Sequence, residues 1–448
     1  GGMWMDWLTA TACEQGRAIM AGLVSPVDLT EAYLEVTLRH PDRELIFARL
    51  TPARARAEAI AAHDRARAGR RRGLLDGVAI SWKDNIDSAG VPTEAGSALL
   101  AGRTPDRDAA VLENATAAGL ACLGKTHMTE LAFSGLGLNP ITATPPNALD
   151  PALAPGGSSS GSAVSVALGL AAATIGSDTG GSIRLPAAWN GLVGFKPTPG
   201  AVPMRGVVPL CARFDVAGPL ARSVEDCAEL LAAITGARAP DLTDAASAGL
   251  RLLVLDGVPF DQARDAPVAA FDEAVDRLAR AGARITRAAP PCVAEAMALS
   301  PALFAPEAYG TWKAHIEADP EAMYPPILAR FRAGGDVSAA DYVAAWITLD
   351  RLRRIWAETV AGFDAVILPT SPILPPDRDR LLADPDFFAA ENLLALRNTR
   401  IGNVLGLPAV SLPTGRPACG IMAMGVAGGD RHLLRVARAM EAALSPSS

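Results

Sequence analysis

Lysine is nearly missing from this chain. Of 41 basic residues only four are lysines, Lys83, Lys125, Lys196 and Lys313. Arginine cannot be deprotonated in a protein, whereas a buried lysine can. A lysine that survives such a bias marks a position where arginine does not serve. Cysteine is sparse as well, with six at positions 13, 122, 211, 227, 292 and 419. No CxxC pair and no Cys/His cluster of zinc spacing occurs, which argues against a metal site or a disulfide framework and for reduced thiols. Histidine is limited to His40, His63, His127, His315 and His432, none in a recognisable catalytic motif. The net charge of −7 supplies no surface for phosphate neutralisation, so no nucleic-acid partner is expected. Long apolar runs are lacking. The longest, Ser162 to Gly176, is too short to cross a bilayer and contains two serines, so it reads as a buried helix, with no membrane partner. The first fifteen residues have neither a basic leader nor a cleavable apolar region, and the expectation is a cytoplasmic protein.

What is present is a large apolar inventory. Half of the 448 residues are hydrophobic, enough for a substantial core. Residues 6 to 72 read as helical, with Ser25-Pro26 as cap and first turn of one helix and an Ala/Arg helix ending near Gly69. Strands are expected at Val78 to Trp82, at "LACLGKT", at "VGFKPT", at 250–257 and at 363–372. Helices are expected at 109–118, 162–174, 223–234, 266–281, 338–361 and 430–444. Residues 236–250 read as a surface loop. The alternation predicts one large α/β domain over residues 3–445, with a central mixed sheet covered by helices on both faces.

Two glycine–serine stretches require an account. "APGGSSSGSAV" (154–164) is a poor flexible linker, because an apolar helix starts at once. It is a poor phosphate cradle, because the lysine of GxxxxGK[ST] is absent. It satisfies G-x-S-x-G around Ser159, but a strand-to-helix elbow is not expected after the prolines of "DPALAPGG", and no acid and histidine follow in motif context. "GSDTGGSIRLP" (176–186) reads either as a turn or as a nucleophile with its oxyanion donors. If no histidine serves as base, a neutral lysine must. Its ordinary pKa of about 10.4 then has to fall by roughly three units through burial. Lys83 ends the apolar run "VAISWK" and suits that demand; a surface lysine paired with Asp84 is the plainer reading of the same residue.

"GVAISWKDNID", "GKTHMTELAFSG", "PGGSSSGSAVSVA", "GSDTGGSIRLPAAWNGLVGFKPT", "FDVAGPLARSVED", "ILPTSP" and "GNVLGLPAVSLPTG" occur in this order. Together they resemble the amidase signature family, over residues of about 20 to 440. The resemblance implies a serine–cis-serine–lysine triad: Ser182 as nucleophile, Ser158 as bridging serine in a cis peptide, and Lys83 as base. It implies an oxyanion hole from the backbone N–H groups of Thr179, Gly180, Gly181 and Ser182. Asp178 and Arg184 are expected to hold the loop. Ser160 stands where the family often has glycine. His127 stands where it often has asparagine, and reads equally as a packed histidine. No metal or cofactor is implied, and a homodimer is left open.

The implied activity is hydrolysis of a small-molecule carboxamide through an acyl-enzyme. Alternatives are a subunit of a glutamine-dependent amidotransferase, a carbamoyl-urea hydrolase of the biuret or allophanate type, and a catalytically silent scaffold. Against glutamine, Leu396 falls where the amidotransferase branch carries an acid. Met128, Phe133, Leu136 and Ile141 on one side, with Tyr309 and Trp312 on the other, are candidate pocket residues. Their apolar character points to an uncharged aliphatic or aryl amide.

Overall fold

Successive side chains of a strand point to opposite faces of its sheet, and here both sets are apolar. In Arg251–Leu255, Leu252 and Val254 pack into one apolar body while Leu253 and Leu255 pack into another. Ala365–Pro369 repeats the pattern, with Ala365 and Ile367 on the first face and Val366 and Leu368 on the second. A sheet with two apolar faces must be covered on both. Helices Pro26–Arg39, Val224–Thr235, Asp265–Arg280 and Asp430–Leu444 contribute to the first body. Helices Ser300–Ala318, Pro325–Arg332, Ala339–Val360 and Pro385–Val404 contribute to the second.

The structure is a computed structural model that describes residues 2–446, with side chains from residue 6. Its single domain is built on β1 (Phe47–Leu50), β2 (Ala79–Lys83), β3 (Ala121–Thr126), β4 (Thr174–Asp178), β5 (Val193–Lys196), β6 (Val216–Ala221), β7 (Arg251–Leu255), β8 (Arg284–Ala288), β9 (Ala365–Pro369), β10 (Ala409–Pro413) and β11 (Gly420–Met424). They form one eleven-stranded sheet in the order β1-β3-β2-β4-β6-β5-β10-β11-β9-β7-β8. Pairing is parallel for β3-β2-β4 and for β9-β7-β8 and antiparallel elsewhere, so the sheet is mixed as expected.

Three readings of the sequence need correction. The apolar stretch 162–176 is not one helix. The helix runs Ser160–Ala167, Gly169 turns the chain at φ +75°, and the rest enters β4. The region 6–72 contains the short edge strand β1 as well as helices. Strand β6 is absent from the sequence reading, and its Pro219 is a residue that seldom enters a sheet interior. Strand β5 meets β6 only at Leu220 and Ala221, so the missing Pro219 N–H costs no rung on that side. Residues 236–250 hold no regular element.

Among the described residues no helix is long and apolar enough to cross a membrane, and no group of three or more His, Cys, Asp or Glu is arranged to hold a metal ion.

Candidate active site

Parallel pairing of β2 with β4, through Ser81 to Thr174 and Trp82 to Ile175, brings the carboxyl ends of the two strands together. Lys83 closes β2 there and is fully buried. Its Nζ lies 2.6 Å from Ser158 Oγ and 2.8 Å from Ser177 Oγ, and Asn85 Nδ2 donates to the same Ser177 oxygen at 2.9 Å. Burial disfavours the ammonium and lowers the Lys83 pKa to about 7, against the opposing pull of Asp178 and Asp215. An amine that is about half neutral at pH 7, touching a serine hydroxyl, can take a proton from it.

Ser158 follows a cis peptide bond with Gly157. Its carbonyl accepts from the Thr129 N–H at 3.1 Å. A Cβ on Gly157 would stand 2.6 Å from Thr129 Oγ1 and 2.9 Å from Gly137 Cα, so only glycine fits. Ser159 is excluded as an elbow nucleophile, because its hydroxyl donates to Ser177 O at 3.1 Å and so ties the helix start to β4.

The loop after β4 carries Ser182, which is buried, and Ser182 O accepts from the Ser159 N–H at 3.3 Å. The loop is organised by Asp178. Its carboxylate accepts from the N–H of Gly181 (2.9 Å) and Ile183 (3.0 Å), from Arg184 Nε (3.1 Å) and Nη2 (3.0 Å), and from Asn403 Nδ2 (2.9 Å). Asp178 and Arg184 thus hold the loop. The Asp178 bond also corrects the expected oxyanion hole, since the Gly181 N–H is already engaged. The N–H groups of Thr179, Gly180 and Ser182 have no partner among the described residues. Gly181 instead needs its φ of +136° and a missing Cβ, which would fall 2.1 Å from Thr399 Oγ1.

The Arg184 guanidinium holds the Asp178 pKa far below the usual carboxylate value of 3.8 although burial pushes it up. Asp178 therefore stabilises the fold above about pH 4, and this contribution is lost as the pH falls below that value. Asp178→Ala leaves Arg184 buried and unpaired and is expected to cost about 3–5 kcal/mol. A denaturation midpoint equal to wild type would reject that role.

Sequence reasoning missed several groups around this loop. Ser177 and Asn85 contact Lys83 directly or through one bond. Asp215, fully enclosed, accepts from Thr179 Oγ1 and from the Leu210 N–H at 2.9 Å. Thr399 Oγ1 donates to Gly180 O at 2.8 Å. Ser177, Asn85 and Asp215 stand in the quoted motifs and Thr399 just before one, but they hold backbone and neighbouring side chains in place, which motif chemistry does not reveal. His127 is a packed histidine. Its Nε2 lies 2.9 Å from Glu44 O, burial lowers its pKa to about 4, and its own carbonyl accepts from the Gly161 N–H.

The six candidate pocket residues divide. Met128, Phe133, Leu136 and Trp312 are buried in the second apolar body, and Tyr309 packs on it. Ile141 stands outside that body, exposed in its loop. Leu396 packs against Gly135 and Gly181, with no acid in its place.

A mixed, doubly covered sheet that presents a glycine–serine loop beside a desolvated lysine defines an α/β enzyme of the amide-hydrolysing class. The chain belongs to the Amidase family, whose family model matches residues 28–434, and it is an amidohydrolase. It is 34% identical to a glutamyl-tRNA(Gln) amidotransferase subunit from Anaeromyxobacter sp. (strain K), over 97% of this chain and 96% of that one. It is also 34% identical to 2-amino-5-chloromuconic acid deaminase from Comamonas testosteroni, over 87% and 86%. The peptide amidase from Stenotrophomonas maltophilia superposes with a TM-score of 0.80 at 28% identity, over 97% of this chain and 96% of that one.

Proposed function

We propose that the protein hydrolyses a carboxamide through an acyl-enzyme on Ser182, with Lys83 as the base and Ser158 as the relay. The observation that carries this is the desolvated Lys83 amine 2.6 Å from Ser158 Oγ, at the foot of the Ser182 loop. Ser182 Oγ attacks the carbonyl carbon as its proton passes to Ser158 and the Ser158 proton to Lys83. The oxyanion is held by the free N–H groups of Thr179, Gly180 and Ser182, where each such donor is worth about 3 kcal/mol in other enzymes. Lys83 returns the proton through Ser158 to the leaving nitrogen, and water then clears the acyl group by the same route. The test is labelling by a serine-reactive fluorophosphonate together with ammonia release from a panel of primary amides, carbamoyl ureas and anilides. Labelling confined to Ser182 and turnover of at least one amide support the reading. An unlabelled Ser182 in a folded protein favours a silent scaffold.

The amidotransferase relative makes glutamine the second reading. Leu396 opposes it, because no carboxylate stands there to receive the glutamine ammonium. Glutamine is expected to be hydrolysed at least a hundredfold less efficiently than the best amide of the panel. Efficient ammonia release from glutamine, or purification as a stable complex with other amidotransferase components, would overturn this expectation.

A further inference from the structure

Among the described residues, two arginines near the Ser182 loop carry charge that no carboxylate answers. Helix Pro385–Val404 presents one stripe to the site. Asn392 Oδ1 accepts from the Gly135 N–H at 2.9 Å, Leu396 packs on Gly135 and Gly181, Thr399 bonds to Gly180 O, and Asn403 bonds to Asp178. Residues three and four apart share a helix face. Arg400, four beyond Leu396 and three before Asn403, therefore flanks the same stripe. Arg330, from helix Pro325–Arg332, lies 4.4 Å from the centroid of the Phe133 ring, and Phe133 adjoins the Ser134-Gly135 turn that Asn392 holds.

The positive charge of Arg400 is felt at Arg330. Among the described residues Arg397 adds a further positive charge beside Arg400, and Cys211 beside Arg330 is a neutral thiol whose own pKa is raised by burial. Among the described residues neither pairs with Asp or Glu, and Arg400 Nη2 is buried without a hydrogen-bond partner. Burial disfavours both charged forms, and Arg400 acts against Arg330 and Arg397 against Arg400, yet a guanidinium stays cationic at neutral pH. Each side chain is surrounded by protein yet keeps partial exposure. On the loop itself, a Cβ at Gly180 would meet nothing within 4 Å, so open space adjoins the Ser182 loop. A buried charge without a partner is costly. The Phe133 ring offsets part of this for Arg330 but leaves its edge donors free. A carboxylate matches such donors in geometry and sign.

We propose that Arg330 and Arg400 form a carboxylate subsite, and that the preferred substrate is a monoamide of a dicarboxylic acid. Its amide carbonyl lies at Ser182 and its free carboxylate at the two guanidiniums. This replaces the uncharged acyl group expected from the apolar residues, and its turnover assay rests on the Ser182 reading above.

The experiment compares malonamate, succinamate, glutaramate and adipamate with the neutral amides of equal carbon number. At the best length, wild type is expected to prefer the anionic amide by about tenfold or more in kcat/KM. Arg330→Gln and Arg400→Gln are each expected to lower that preference about tenfold or more, mainly through KM, and Arg400→Lys to recover part of it. Removing an unpaired charge should not lower the melting temperature, which separates the effect from misfolding. In a second arm, calorimetry measures binding of the same monoamide to Ser182→Ala and to Ser182→Ala/Arg400→Gln. Binding is expected in the first and weakening of about tenfold in the second. No preference in wild type, a preference retained in both arginine variants, or equal binding in the second arm overturns the subsite. If wild type turns over no amide but the second arm succeeds, the Ser182 reading fails and the subsite stands.

Discussion

Ser182→Ala is expected to abolish turnover and leave the fold unchanged. Removing the nucleophile of a covalent hydrolase typically costs about 10^4-fold or more in kcat. Here the remaining machinery has little to offer in its place. Three N–H donors would still polarise a carbonyl, but a water would have to find the position of Oγ and the proton route together. The folded state should be indifferent to the change, because the Ser182 hydroxyl makes no hydrogen bond among the described residues. The loop is held by Asp178, Arg184 and Asn403, none of which touches that oxygen. The assay is kcat on the best amide of the panel, with a thermal melt on the same sample. Activity within tenfold of wild type would remove Ser182 from the mechanism. Ser158→Ala should also lose several orders of magnitude, since it cuts the bond from Lys83 toward the nucleophile. A Ser158 variant with near-normal rates would show that the proton travels another way.

The part of the candidate site legible in the sequence is the set of residues that the family resemblance names. Lys83, Ser158 and Ser182 lie in glycine-flanked motifs, and the fold brings Lys83 and Ser158 into contact. Backbone details are not legible. The resemblance makes Gly181 an expected oxyanion donor, yet its N–H is spent on Asp178. Nothing in "GSDTGGS" distinguishes which amides face inward. Strands β2, β3, β5, β7 and β9 are readable as short, largely apolar segments, whereas β1, β4 and β6 are not. Strand β8 is not, because "RITRA" is an exposed edge with charged residues. Helices Ser300–Ala318 and Pro385–Val404 escape the sequence reading too. The first contains Pro306, and the second faces the site with Asn392, Thr399 and Asn403 where periodicity looks for apolar residues. Arg330 and Arg400 are hidden by the same abundance that makes lysine informative, since in an arginine-rich chain no single arginine stands out.

Lys83 decides whether the base is a neutral amine, and Lys83→Arg is the sharpest test. A guanidinium keeps the positive charge and most of the length, but it stays protonated at any working pH. If Lys83 supplied only charge, the arginine variant would keep much of its activity. As a base, it must fail at least as badly as Lys83→Ala, which leaves room for a water. The pH profile follows from the lowered pKa of about 7. Below that value the amine is protonated and kcat/KM should fall about tenfold per pH unit; above it the rate should level off. Stability carries the matching sign. The unfolded lysine binds its proton up to about pH 10.5, whereas the folded one releases it near 7. Stability therefore rises with pH between these values, and at pH 6 the buried ammonium costs the full difference. Lys83→Met should accordingly raise the melting temperature at pH 6 by more than at pH 10, while abolishing activity. Lys196 is a second buried lysine with a pKa near 7, so Lys196→Met is the control for the stability profile. Near-normal rates in Lys83→Arg, or a kcat/KM limb with no inflection between pH 6 and 10, would require another base.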